Sequence, residues 1–214
     1  MIMRRSLIGF LVTAALAVTL APAVRAFPAV ALSSQELSTR ALTGSYCAQE
    51  LIPNDKAART IAQCFATQGE ALATATGNTN YLSMSDDKVR EEFAATIAAN
   101  GRLSADSQYL LGADYWDTHY GGNYYYWYAT QGCSSTYAFY VPTMPPGWND
   151  KVSSALSSSG CNHFYHYIDS NYNNGLYGAG KYIDCGYGAG DCYTMYLPDG
   201  SSMSDRTSSE ILKA

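Results

Sequence analysis

The second half of this chain is written twice. "YWDTHYGG", Tyr115 to Gly122, matches "YIDSNYNN", Tyr167 to Asn174. "FYVP", Phe139 to Pro142, matches "MYLP", Met195 to Pro198. "NDKVSS", Asn149 to Ser154, matches "SDRTSS", Ser204 to Ser209. The three offsets are 52, 56 and 55 residues. Matches in one order at a nearly constant offset mark two copies of one supersecondary unit. A unit of this length holds about four short strands. The units span about 107–156 and 161–212.

Residue usage agrees. Of 19 tyrosines, only Tyr46 and Tyr81 precede residue 105. From Tyr109 onward, aromatic and β-branched runs such as "GNYYYWYA", "STYAFYVP", "NHFYHYID" and "CYTMYLPDG" alternate with Gly, Asn, Asp and Pro. That is the composition of strands and turns. Alanine crowds the region before it, which reads as helical. Ser33-x-x-Glu36 forms a capping box and Gly44 can close that helix. Asn54 can cap a second helix with Ile61, Cys64, Phe65 and Leu72 on one face, broken at Gly77-Asn78. Ser85 opens a third, with Asp86 and Asp87 in its first turn and Val89, Phe93 and Ile97 as its core stripe. Asn100-Gly101 ends it and sets the boundary. The expected organisation is a helical region over 27–104 and a β domain over 105–214 that folds by itself.

The first residues fix the compartment. Arg4 and Arg5 precede an apolar run from Leu7 to Leu20 and the small-residue end Val24-Arg25-Ala26. Residues 1–26 read as a secretory signal peptide cut after Ala26, with Ala23 and Ala31 as alternatives. The run is short for a membrane span. Its removal lowers 13 Lys and Arg to ten against 18 Asp and Glu, a net charge near −8. That balance argues against a nucleic-acid partner and suits cations or a basic partner. Six cysteines, Cys47, Cys64, Cys133, Cys161, Cys185 and Cys192, suggest disulfides in a secreted chain. Of the 15 pairings that six cysteines permit, locality favours Cys47–Cys64 and Cys185–Cys192, leaving Cys133–Cys161.

Tyr115-x4-Tyr120-x-Gly122 resembles the folded hairpin of a βγ-crystallin Greek key. "NDKVSS" resembles the calcium-site hexapeptide of the microbial, calcium-binding members. The resemblance covers roughly 107–212 and leaves 27–100 unexplained. It implies a mainly β fold, two Greek keys packed as a sandwich. Gly122 supplies the positive φ such a hairpin needs, and Tyr115 and Tyr120 can close over it. In the second unit Asn174 stands at the glycine position, so the turn there is expected to shift.

The resemblance also implies two calcium sites built crosswise between the units. The hydroxyls would be Ser153 and Ser208, and each carboxylate, Asp150 or Asp205, would come from the other hexapeptide. Backbone carbonyls of Lys151 and Arg206, and of Trp116 and Ile168 in the hairpins, would complete them. Such oxygen sets suit calcium, which takes 6–8 ligands. The basic side chains of Lys151 and Arg206 reduce the local negative charge, and Ser204 replaces the usual Asn or Asp at the first position. The competing reading is turn stabilisation, since Asp, Asn and Ser self-cap turns.

No spacing ties catalytic residues together: GxSxG, HExxH and the P-loop are absent from the sequence. His119, His163 and His166 read as structural, because on a strand the pair in His163-x-x-His166 points to opposite faces. The expected function is a secreted, non-enzymatic calcium-binding protein with a structural or stress role. The alternatives are a secreted metalloprotease inhibitor, with "CGYGAGDC" as its exposed loop and a secreted protease as its partner, or a toxin or antimicrobial protein.

Overall fold

The computed structural model describes residues 46–98, 108–174, 181–186 and 192–214, all within one unit, Ser33–Ala214. The signal segment, the expected helix between Ser33 and Gly44, and Asn100-Gly101 lie outside the described residues. Two short strands come first, β1 (Tyr46–Glu50) and β2 (Gln63–Phe65). Two helices follow, α1 (Gln68–Thr76) and α2 (Asp86–Ala98). The first repeat unit supplies β3 (Tyr109–Asp117), β4 (Gly121–Ala129), β5 (Phe139–Val141) and β6 (Ser154–Ser157). The second supplies β7 (His163–Tyr167), β8 (Tyr182–Asp184) and β9 (Ser209–Lys213).

The strands make two sheets, ordered β2-β1-β4-β3-β6 and β5-β9-β7-β8. The third strand of the first unit crosses over: β5 leaves β4 and pairs with β9 of the second unit. The matching segment of the second unit returns toward the first sheet, where Cys192 bridges Ala155 of β6. The protein is thus mainly β, with the two Greek keys and the βγ-crystallin-like sandwich that the resemblance implied.

The sheets pack closely. A Cβ added at Gly112 of β3 would stand 2.9 Å from the Phe164 ring of β7 and 3.0 Å from Leu212 of β9. Tyr125, Trp127 and Ala129 of β4 enter this inter-sheet core with Leu111, Phe139, Phe164 and Leu212. The alternate residues Tyr124, Tyr126 and Tyr128 face the other way. There they meet Ala71, Leu72 and Ala75 of α1 and Val89 and Phe93 of α2. The first sheet is therefore covered on both faces, which is why "YYYWYA" carries no polar alternation.

The helices form for local reasons. Thr67 and Glu70 make a reciprocal capping box on α1, and Gly77 closes it at φ 72°. Asp86 and Asp87 begin α2, as expected. The second expected helix exists only in its last part, as α1 with Leu72 buried and Gly77 closing it; the part expected to start at Asn54 is not helical. Asn54 caps nothing: it sits in a turn at φ 60°, donates to the Thr136 carbonyl at 3.0 Å and accepts from Ala138 N at 3.1 Å. Cys64 and Phe65 belong to β2, and Ile61 is 71% exposed. The reason is non-local. Cys47 and Cys64 face each other across β1 and β2 and are joined by a disulfide, which holds this segment extended.

The described part of 27–104 is therefore not purely helical. β1 runs parallel to β4 from Tyr46↔Tyr124 to Glu50↔Tyr128 and extends the same sheet. Cys133–Cys161 and Cys185–Cys192 complete the pairings that locality favoured. Among the described residues, no helix is long and apolar enough to cross a membrane.

A fragment beginning near residue 105 would lose β1 from the ladder and uncover Leu110, Ala113, Tyr124 and Tyr126, all buried in the intact unit. Such a fragment, made in an oxidising compartment, is expected to bind hydrophobic dye and to melt without cooperativity. A cooperative melt of a monomeric fragment would show that the helical layer is dispensable.

Candidate functional site

The two hairpins have the same build. In the first, β3 and β4 are joined by a 3₁₀ turn, Thr118–Tyr120, with His119 and Tyr120 left-handed at φ 58° and 59°. Gly122 follows at φ 75°, where an added Cβ would lie 2.8 Å from an Asp117 carboxylate oxygen. In the second, Asn171, Tyr172 and Asn173 carry φ of 50°, 57° and 58°. Asn tolerates that region better than most residues, so the second unit makes its turn without glycine at the matching place. Tyr115 packs on Tyr120 with ring centroids 5.0 Å apart, and Tyr167 on Tyr172 at 5.8 Å.

The last serine of each hexapeptide holds its hairpin. Ser154 Oγ donates to the Asp117 carbonyl at 2.6 Å and accepts from Tyr120 N at 3.0 Å. Ser209 Oγ donates to the Asp169 carbonyl at 2.7 Å and accepts from Tyr172 N at 3.0 Å. Both serines are fully buried. Reading the loops for cation ligands alone missed this role, although the identical sixth residue of "NDKVSS" and "SDRTSS" was a usable signal.

The remaining hexapeptide residues cross between units. Ser153 Oγ donates to Asp205 Oδ1 at 3.2 Å, and Ser208 Oγ donates to Asp150 Oδ1 at 3.3 Å. The backbone repeats the exchange. Asp150 N donates to the Thr207 carbonyl and Asp205 N to the Val152 carbonyl, each at 3.0 Å. Ser153 N and Ser208 N donate to the Tyr115 and Tyr167 carbonyls at 2.9 and 2.8 Å. Asp150 and Asp205 are left-handed at φ 57° and 56°, so Ser204 in place of Asn leaves the loop's shape unchanged. The hydroxyls are buried and the carboxylates exposed.

Of the other expected ligands, Lys151 and Arg206 lie in the hexapeptide loops, and Trp116 and Ile168 at the ends of β3 and β7. Arg206 turns its guanidinium onto its own loop, donating to the Ser202 carbonyl at 3.1 Å. Lys151 is exposed. Trp116 sits in the register irregularity between Tyr115 and Asp117, where a bulge leaves backbone groups outside the ladder. Ile168 follows the last residue of β7, and its N–H donates to the Lys181 carbonyl at 3.2 Å. The donor set is all oxygen, and hydroxyl–carboxylate spacings near 3 Å match neighbouring ligands around an ion with about 2.4 Å bonds.

A second polar group, which the sequence reading did not single out, lies between the sheets. Asp114 and His166 immediately precede the equivalent Tyr115 and Tyr167, so they are counterparts in the repeat. They meet there: His166 Nε2 is 3.0 Å from Asp114 Oδ1 and 3.5 Å from Glu210 Oε1. Trp127 Nε1 donates to Asp114 Oδ2 at 2.6 Å. All three ionisable residues are 0% exposed. Burial first, then the neighbouring Asp114 charge, pushes the Glu210 carboxyl well above the usual range. Extending the repeat by one residue would have exposed the Asp114–His166 pairing. Glu210 is betrayed by sharing the inward parity of Leu212.

His163 points away from His166, as expected for a strand, with Nδ1 2.7 Å from Asp184 Oδ2. His119 is exposed, its ring 6.1 Å from that of Tyr193. Of the loop offered for protease inhibition, residues 187–191 lie outside the described residues.

No protein-family model matches the chain, and no curated protein matches it. Among solved structures, a betagamma-crystallin from an Archaea is similar at 20% identity, with a TM-score of 0.32. The match covers 49% of this chain and 98% of that one. The fold described above rests on its own strand order and pairing.

Ser154→Ala and Ser209→Ala would each remove the buried hydroxyl that serves a hairpin carbonyl and a hairpin N–H. Each is expected to cost about 1–3 kcal/mol in chelator-treated protein, read from the urea midpoint. Ser153→Ala, whose partner Asp205 is exposed, should cost far less under the same conditions.

Proposed function

We propose that this protein is a secreted, non-enzymatic calcium-binding module with a structural or stress role. It holds calcium at two sites shared by its repeat units. One observation carries the reading: each hexapeptide's hydroxyl lies on the other hexapeptide's carboxylate, at 3.2 and 3.3 Å. Turn stabilisation alone accounts for each loop capping itself. It does not account for two loops pairing reciprocally across the domain through the oxygens that a hard cation uses.

In one site Ser153, Asp205 and the carbonyls of Lys151 and Trp116 would hold the ion. In the other, Ser208, Asp150 and the carbonyls of Arg206 and Ile168 would do so. Each ion would neutralise an exposed carboxylate and tie one unit to the other. Three disulfides and the leader-like start of the chain support an oxidising, extracytoplasmic setting.

The test is thermal melting in calcium and in chelator. Calcium at about 100-fold over its Kd should add roughly 2.7 kcal/mol to wild type. For a domain of this size that is a rise of about 5–10 °C. Ser153→Ala and Asp205→Asn should each shrink the rise, and the double variant should lose little more than the worse single one, since both damage one site. A wild type that melts identically in calcium and chelator overturns the reading.

A further inference from the structure

We propose that Asp114, His166 and Glu210 form a buried binding site for one divalent transition-metal cation of the zinc class, clamped between the two sheets. The ligands come from β3, β7 and β9, so a bound ion would join the sheets at the point where the repeat counterparts Asp114 and His166 meet.

The spacing fits. One ligand atom from each residue can be chosen so that all lie within 4.8 Å of one another. His166 Nε2 stands 3.0 Å from Asp114 Oδ1 and 3.5 Å from Glu210 Oε1. Those distances bracket the edge of a tetrahedron with metal–ligand bonds of about 2.0–2.1 Å, which is about 3.3 Å.

The surroundings also fit. His166 Nδ1 is 3.1 Å from the Phe164 carbonyl, which can only accept. The Nδ1 proton is therefore fixed there, and Nε2 is the atom turned to the carboxylates. Metal-binding histidines are commonly oriented in this way. Trp127 Nε1 fixes the other oxygen of Asp114, a second orienting contact of the same kind. Neither Glu210 oxygen has a hydrogen-bond partner, although the residue is 0% exposed. An unbonded buried carboxylate is costly, and a cation removes that cost. Charge closes as well: a divalent ion, two carboxylates and a neutral imidazole sum to zero in a dry interior. A second carboxylate oxygen or one trapped water can fill the fourth position. The imidazole nitrogen separates this site from the all-oxygen hexapeptide sites and favours a zinc-like ion over calcium.

The competing arrangement is metal-free, with Glu210 protonated beside a His166–Asp114 ion pair. The experiment distinguishes them. The full chain, purified from an oxidising compartment with zinc in the medium and dialysed natively against chelator, should retain close to one equivalent of transition metal by mass spectrometry. The metal should leave only on unfolding. After unfolding with disulfides intact, stripping, and refolding with Co²⁺, the visible bands of tetrahedral cobalt should appear. Glu210→Gln, close in shape to a protonated Glu, should weaken retention at least about tenfold and abolish the bands. Asp150→Asn/Asp205→Asn should keep them. Wild type that retains no metal and takes up no tetrahedral Co²⁺ overturns the proposal, whether or not Glu210→Gln folds. Loss of the bands in the hexapeptide double variant overturns it too, by placing the metal elsewhere.

Discussion

The exchange of third strands is the constraint from which the rest follows. β5 is made by the first unit but pairs only with β9 of the second. The returning segment at Cys192 touches β6 of the first. Each unit therefore has a strand or bridge in the other's sheet, and folding brings the two sheets face to face. Every crosswise feature is a consequence. The two hexapeptides that follow the third strands meet each other between the units, while each holds the hairpin of its own unit. Two counterparts on equivalent strands, Asp114 and His166, are driven onto each other in the centre.

Within each hexapeptide the work is divided by position. The sixth residue is buried and bonds the carbonyl and N–H of its hairpin turn, which makes it a folding residue. The fifth keeps a hydroxyl at the rim, and the second, held left-handed, turns a carboxylate outward. Oxygens at the rim cost little when no ion is bound, because solvent reaches the carboxylates. The opposite holds for Asp114, His166 and Glu210, where every unsatisfied oxygen is a loss to stability.

Coverage of the first sheet sets the role of the preceding segment. Tyr124, Tyr126 and Tyr128 would form an exposed aromatic face if the domain were only a sandwich. β1 extends the sheet edge in parallel, and α1 and α2 cover the face. Of the helix expected after Asn54, only the part Gln68–Thr76, closed by Gly77, formed. Its apparent apolar stripe came from Cys64 and Phe65, which the Cys47–Cys64 bridge commits to β2. A 3.6-residue period in a short window is weak against a covalent constraint of that kind.

By itself the sequence determined what depends on neighbours along the chain. It determined the two repeat units, the glycine turn at Gly122, the starts of α1's closing glycine and α2's acidic first turn, and the pairing of cysteines close in sequence. Only the tertiary structure decided which oxygen meets which. Ser153 could have served any carboxylate until strand exchange placed Asp205 beside it, 52 residues away. Likewise the repeat marks Asp114 and His166 as counterparts, and parity turns Glu210 inward, but neither says that the three touch. A strand's period of two tells which face a residue takes, but which strands share that face is settled by pairings and packing remote in sequence.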